Sequence, residues 1–249
     1  MTEEFFADPL PSHPVLLYHK WMTTCPLWPK QIAQASSHEG QRYRKIRKDK
    51  ETANEGQIMA RPSKKAEIVQ AAAELFSTKG FKATTVRDIA EKAGVLSGSL
   101  YAHIDTKEDL LLEIVRLAAN EFANALEPIV RSDENPEAKV RAAVHAHLGV
   151  IASSRAWSTV YLDEDAAFSP EGRLEVRQLR KVYEQYWMQI LEEGQARQTF
   201  SFTDSALTRL LILSALNGFH RWYDPQGRLT VHDIAEDYAG MILNMLRKT

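Results

Sequence analysis

One stretch, residues 84–111 (TTVRDIAEKAGVLSGSLYAHIDTKEDLL), constrains the fold more than any other part of the chain. Thr85 and Asp88 stand at capping-box spacing ahead of Val86, Ile89, Ala90 and Ala93, which predicts a short helix stopping near Gly94. A second short helix is expected from Leu96 or Ser97 to Ile104. Thr106, with Asp109 three positions on, caps a longer one through Leu110, Leu111, Ile114 and Val115. Upstream, Ile68, Ala72, Leu75 and Phe76 lay an apolar stripe on a helix that begins at Lys64, and Gly80 suits its C′ position, where positive φ is needed. Two short helices, a glycine-containing turn and a bracing helix make a helix-turn-helix, whose second short helix enters the DNA major groove.

The residues at the head of that second helix fit the task. A groove about 12 Å wide admits a helix deeply only where the leading side chains are small. Leu96, Ser97, Gly98 and Ser99 satisfy this: the serine hydroxyls donate or accept, and Leu96 can touch a thymine methyl. Leu100 and Ile104, four apart, are expected to face inward against Ile68, Phe76 and Ile89, which turns Tyr101 and His103 outward to phosphates. Lys107 at the next helix start adds a phosphate contact, and Arg61, Lys64 and Lys65 form a basic arm that can track phosphates or enter the minor groove. Thr85 is counted with the DNA-facing residues. The competing reading is a helical hairpin with no nucleic-acid role, since small polar residues also begin ordinary helices.

Residues 71–111, AAAELFSTKGFKATTVRDIAEKAGVLSGSLYAHIDTKEDLL, resemble the N-terminal domain of TetR-family transcriptional regulators along their whole length. The pattern falls on Phe76 and Gly80, on Thr85, Ile89, Ala90, Ala93, Gly94 and Val95, and on Gly98, Tyr101, His103, Ile104, Lys107, Glu108 and Leu110. Ile104 departs from it, standing where an aromatic is usual. The resemblance implies an all-α protein of about nine helices: an N-terminal helix-turn-helix DNA-binding domain, then a C-terminal helical domain that dimerises and binds a small molecule. The expected division is 59–106 for the first and 107–249 for the second. HRWYDPQGRLT (220–230) and LRKVYEQYWMQILEEGQ (179–195) are similar to a branch that represses catabolic operons and responds to coenzyme A thioesters, including regulators of fatty-acid and cholesterol-ring degradation. That likeness implies a palindromic double-stranded operator, a homodimer and an acyl-CoA effector. A drug-efflux repressor with a promiscuous aromatic pocket is the alternative.

An acyl-CoA needs a greasy tunnel for its tail and cations for its phosphates. Tyr161, Phe168, Tyr183, Trp187 and Leu213 are the tunnel candidates. Arg177, Arg180 and Arg221 are the candidate partners of phosphate or carboxylate, and Asn217 is taken with the ligand-binding set. Core packing for each aromatic and a solvated salt bridge for each arginine are the competing readings. Beyond residue 107 the chain reads as helices near 107–131, 137–153, 155–168, 172–194, 204–221 and 231–247, broken at Asn135–Pro136, Ser169–Pro170, Gly194 and Asp224–Pro225. The 204–221 segment is apolar on most sides, and the last helix carries Ile234, Tyr238, Met241, Ile242 and Met245. Both suit a four-helix dimer interface; a monomer's core is the alternative.

Charge agrees with a divided molecule. Residues 60–107 carry eight basic and five acidic groups, against fifteen and 21 over 108–249. A positive segment on an acidic body suits a protein that touches a polyanion with one part only. Residues 1–58 show no sustained period, with prolines throughout and a basic run, RYRKIRKDK, at 42–50. They read as solvated extension or as sequence upstream of a natural start at Met59, with a DNA-contacting arm as the other possibility. A single cysteine, Cys25, leaves no internal disulfide and fits a reducing cytosol, so a cytoplasmic location is expected. No uninterrupted apolar stretch approaches eighteen residues, so no membrane partner is expected. His145 and His147, two apart on a helix, point to different faces and do not suggest a joint metal site; Asp163–Asp165 reads as solvated acidic surface. No P-loop, G-x-S-x-G or Cys-pair motif is present, and no enzyme activity, cofactor, metal or catalytic group is expected.

Overall fold

The computed structural model describes residues 63–102, 104–163 and 168–247. The chain divides into two units, 1–66 and 67–249. The architecture belongs to the second unit, with residues 63–66 entering only at the start of its first helix. The helices are α1 (Lys64–Lys79), α2 (Val86–Lys92), α3 (Ser97–Leu100), α4 (Lys107–Val130), α5 (Pro136–Ser153), α6 (Arg155–Asp163), α7 (Pro170–Ala196), α8 (Ser205–Asn217), α9 (Phe219–Trp222) and α10 (Val231–Leu246). Among the described residues there is no strand, only an isolated bridge between Phe200 and Arg247. The all-α class therefore holds. The extension at 1–58, its basic run, the start at Met59, Arg61 and His103 lie outside the described residues.

Side-chain caps explain where most helices begin. Thr85, Thr106 and Thr230 each close a full capping box with Asp88, Asp109 and Asp233. Aspartate serves in place of the usual glutamate because its shorter arm still reaches back: the N–H groups of Thr85 and Thr106 donate to the paired carboxylates at 2.8 and 2.9 Å. Each such cap contributes about 1 kcal/mol. Asn135 and Ser169 cap α5 and α7, with Pro136 and Pro170 in the first turn, where a missing N–H costs nothing. Gly80 and Gly94 take positive φ (82° and 64°) as α1 and α2 end.

Several boundaries differ from the expected ones. Regular helix in α3 covers only Ser97–Leu100 and gives way to a turn at Tyr101 and Ala102. Segment 204–221 splits at Gly218 into α8 and α9. Gly194 does not end its helix, which runs on to Ala196. Its role is steric: a Cβ there would lie 1.9 Å from the Phe200 ring, so glycine lets that ring close on α7, and the chain turns at Gln198, φ 59°.

Helix α4 is the spine, packing against α5, α6 and α7; α10 covers α5 and α8 covers α7. Phe122, Leu126, Leu148, Trp187, Leu191 and Phe219 are fully buried around it. Helices α8 and α10 are apolar on both sides. They bury Ile212, Leu216, Leu243 and Leu246, yet leave Leu207, Leu210, Leu211, Met241 and Met245 between 43 and 66 % exposed, with Trp222 beside them in sequence order on α9. No helix among the described residues is long and apolar enough to cross a membrane.

Candidate functional site

Two candidate sites emerge, one at each end of α4. At the first, α2 and α3 pack together, and Ile89, Leu100 and Ile104 are buried, as their spacing predicts, with Ile68 and Phe76 of α1 buried too. Isoleucine at 104 fills the place of the usual aromatic and is still enclosed. Everything else on α3 faces outward: Leu96 is 79 % exposed, Tyr101 58 %, and Ser97, Gly98 and Ser99 are exposed between them. Space around Gly98 is open, so a side chain there would meet nothing within the molecule. Bare backbone and two hydroxyls are thus offered to an outside partner. Lys64 and Lys65 are exposed on the first turn of α1. Thr85 is exposed too, but its hydroxyl is committed to the cap, donating to Asp88 at 2.8 Å and accepting the Asp88 N–H.

Lys107 differs from its expected role. Its Nζ donates to the carbonyls of Phe81 and Thr84 at 2.7 and 2.8 Å and stands 4.1 Å above the Phe81 ring. A cation held by two carbonyls and an aromatic face is a clamp between α4 and the loop before α2, because those partners replace the water it would otherwise seek.

The second site is a partly open cavity of about 210 Å³. Its walls come from five helices: Phe122 on α4, His147 on α5, Tyr161 and Leu162 on α6, Arg180, Tyr183 and Glu184 on α7, and Leu213 and Asn217 on α8. Phe122 organises the aromatic side, with ring centroids 5.0 Å from His147 and 5.5 Å from both Tyr161 and Tyr183. Arg180 donates to the Tyr161 carbonyl and lies 5.2 Å over that ring, while Glu184 is paired with Arg209. Complete burial pushes the His147 imidazole down to about 3 and raises the Tyr183 phenol well above its ordinary value. Both side chains are therefore neutral at physiological pH.

Of the residues expected to bind ligand, Tyr161, Arg180, Tyr183, Leu213 and Asn217 come together here. Phe168 and Trp187 are buried outside the cavity lining, Trp187 one turn along α7 from Tyr183. Arg177 is exposed on α7. Arg221 pairs with Asp163 at 2.7 Å in a different cleft, which it shares with Lys92, Arg155 and His220. Asp163 also bonds His220 Nε2 at 2.9 Å, so it is an exposed acid that is paired as well as solvated; Glu164 and Asp165 lie outside the described residues. Sequence reasoning passed over Phe122, Leu162 and Glu184, and weighed His147 only as a metal ligand. The histidine carried a signal, being a polar residue within the apolar run AAVHAHLGVI. His145 bonds Glu236 on α10 instead, at 2.6 Å. Among the described residues no cluster of three His, Cys, Asp or Glu could hold a metal ion.

Two helices run from this cavity to the DNA-facing end. Helix α4 carries both the clamp at Lys107 and the wall at Phe122. On α6, Tyr161 forms cavity wall while Trp157, one turn earlier on the same face, donates its indole N–H to Gln70 Oε1 on α1 at 2.9 Å.

Comparison with known proteins matches residues 68–114 to the family described as bacterial regulatory proteins, tetR family, and residues 133–246 to a tetracyclin repressor-like C-terminal domain. The HTH-type transcriptional repressor KstR2 of Rhodococcus jostii is 34 % identical over 185 residues, covering 74 % of this chain and 91 % of that protein. The solved ketosteroid transcriptional regulator KstR2 of Mycobacterium tuberculosis is 30 % identical with a TM-score of 0.70, covering 76 % and 98 % of the two chains. The structure of AibR in complex with isovaleryl coenzyme A and operator DNA aligns with a TM-score of 0.65 at 25 % identity, over 72 % and 97 %.

Proposed function

Because this chain belongs to the TetR family of transcriptional regulators, we propose that it is a homodimeric repressor, released from a palindromic operator by a coenzyme A thioester. It is not an enzyme, its relatives being regulators. In this reading residues 59–106 form the DNA-reading head and 107–249 the ligand-binding and dimerising body, and the protein works in the cytoplasm, where its operator is. Two copies join through the exposed apolar sides of α8 and α10, which places two α3 helices in successive major grooves.

The observation that carries the proposal is the outward edge of α3. Leu96, Ser97, Gly98 and Ser99 are exposed at the leading turn, with open space around Gly98, and Tyr101 follows them toward phosphate. Lys64 and Lys65 supply charge on the first turn of α1, and Thr85 offers backbone and methyl rather than hydroxyl. The thioester part is supported by relatives: KstR2 is by name a ketosteroid regulator, and AibR was solved with isovaleryl coenzyme A. An efflux role is not favoured by either. Within the cavity, Tyr161, Tyr183 and Leu213 would hold the acyl group, with Arg180 and Asn217 as polar contacts.

A ligand shifts this equilibrium only by its differential affinity for the two states, about 5.5 kcal/mol for a full reversal from 1:99 to 99:1. Fluorescence anisotropy of the protein with DNA from its own upstream region, at a stated salt concentration, tests the proposal. Binding on the order of a thousand-fold over random duplex is expected, with release by a member of a thioester series that runs from isovaleryl to ring-containing oxo-acyl coenzyme A. Equal affinity for operator and random DNA overturns the repressor reading. Retention of the operator through a full series of thioesters overturns the effector. Ser97→Ala and Ser99→Ala should alter sequence preference, whereas Tyr101→Phe should weaken all duplexes alike.

A further inference from the structure

The cavity holds one polar point that the protein leaves unmet. His147 is 2 % exposed, its Nδ1 lies 2.7 Å from the Tyr183 hydroxyl, and its Nε2 has no hydrogen-bond partner. Burial keeps the imidazole neutral, so one ring nitrogen carries a proton and the other does not. The Tyr183 O–H is buried as well and must be donated; His147 Nδ1 is the acceptor at hydrogen-bond distance. The Trp187 indole N–H lies near the phenol oxygen as a donor, which favours the same direction for the hydroxyl. The Tyr183 hydroxyl therefore donates a hydrogen bond to Nδ1, and the proton of the neutral imidazole sits on Nε2. Asn217 lines the same cavity close to the imidazole, yet Nε2 itself keeps no hydrogen-bond partner. A buried donor without an acceptor is costly, and such atoms in native structures call for a reason.

We propose that the Nε2–H of His147, with Asn217 alongside, binds a carbonyl oxygen on the buried part of the effector, which is a compact oxo-acyl group and not a plain hydrocarbon chain. This rests on the reading of the cavity as the ligand site. Size sets the word compact: a dry cavity of roughly 150 Å³ takes benzene, so about 210 Å³ holds a single small ring or a short branched chain. Charge sets the word carbonyl. The donor is a neutral imidazole, and the charges on the lining are engaged within the protein, Glu184 with Arg209 and Arg180 with the Tyr161 carbonyl, so nothing at this point calls for a carboxylate. The coenzyme A portion lies outside this volume, which is far too small for it.

The test compares 4-oxocyclohexanecarboxyl-CoA with cyclohexanecarboxyl-CoA by calorimetry on the intact protein. In parallel, cyclohexanone and cyclohexane are compared by the ¹⁵N shift of the His147 ring. Wild type should prefer each oxo compound by about ten-fold, the worth of one buried hydrogen bond. His147→Phe should bring the ratio to about one, and His147→Gln, which keeps an N–H donor, should retain part of it, with circular dichroism reporting whether each variant folds. If neither thioester binds while the free ketone keeps its His147-dependent preference, the polar contact stands and the thioester reading falls. Equal binding of oxo and deoxy partners by wild type in both pairs overturns the inference whatever the variants do, and leaves the thioester reading intact if the thioesters bind.

Discussion

The DNA-facing head and the ligand-binding body are built on opposite plans. In the head, the described candidate side chains other than Lys107 are exposed and most lie within a few residues of one another in sequence, on a core that includes Ile68, Phe76, Ile89, Leu100 and Ile104. In the body, the cavity gathers residues from Phe122 to Asn217 on five helices, and its two polar reporters, His147 and Tyr183, are buried. A head of the first kind is set by local rules, caps and spacing. A cavity of the second kind is set by packing that no short stretch encodes. Stability should divide along the same line, since few buried contacts mean easier local opening.

Leu100→Ala probes that division with the largest expected effect. Leu100 is the one buried residue of α3, wholly inaccessible, and truncation at such sites costs about 2–5 kcal/mol. Operator affinity should fall by more than a hundred-fold, with hydrogen-exchange protection lost between residues 64 and 106 but kept in α5 and α7. Protection lost evenly through all helices would mean that head and body open as one, and the contrast would be gone.

Lys107→Met comes next, at about 2 kcal/mol for a charge-assisted clamp. Its two carbonyl partners lie at Phe81 and Thr84, so the variant should loosen the head and weaken operator and random DNA together. The slope of log affinity against log salt should stay as in wild type. A slope shallower by about one unit would return Lys107 to the phosphate.

Acid should act on the body first. Unfolded histidine takes a proton near pH 6.5, whereas folded His147 resists protonation down to about 3 because it is buried. The unfolded chain then binds more protons, so stability is full above about pH 6.5 and falls as pH drops, by about 1 kcal/mol between pH 7 and 5.5. His145 is displaced in the same direction, by burial foremost, and adds to the loss. Urea unfolding followed by tryptophan fluorescence at the two pH values measures it. His147→Phe should flatten the dependence, and an unchanged slope would show that His147 is not protected.

Legibility in the sequence divides along the same contrast. Thr85 with Asp88, Thr106 with Asp109, and Gly80 all announced local geometry, because caps and positive φ depend on neighbours alone. Leu100 and Ile104 were placed inward by spacing. Lys107 misled because its partners, more than twenty residues upstream, are backbone carbonyls, which sequence does not distinguish. In the body, Tyr161, Tyr183 and Asn217 were within reach as polar or aromatic residues in helical runs, yet Phe168 and Trp187 carry the same chemistry and pack elsewhere. Which aromatic faces a void and which fills the core depends on helix crossing, and Gly194, legible only as a break, proved to be a seat for Phe200.

The smallest effect sits where the two plans meet. Trp157 and Tyr161 share one face of α6, so the helix touches the head at Gln70 and the cavity with its next turn. A ligand that moves Tyr161 must either carry Trp157 along or break its 2.9 Å bond to Gln70. Trp157→Phe keeps an aromatic ring, though a smaller one, and removes the N–H, whose bond is worth about 1 kcal/mol. Ligand affinity of the free protein and operator affinity without ligand should each change little. The ratio of operator affinities with and without thioester should shrink a few-fold, since coupling is the free energy that joins the two sites. Equal changes in both affinities with an intact ratio would leave α4, clamped by Lys107 and walled by Phe122, as the sole connection between cavity and head.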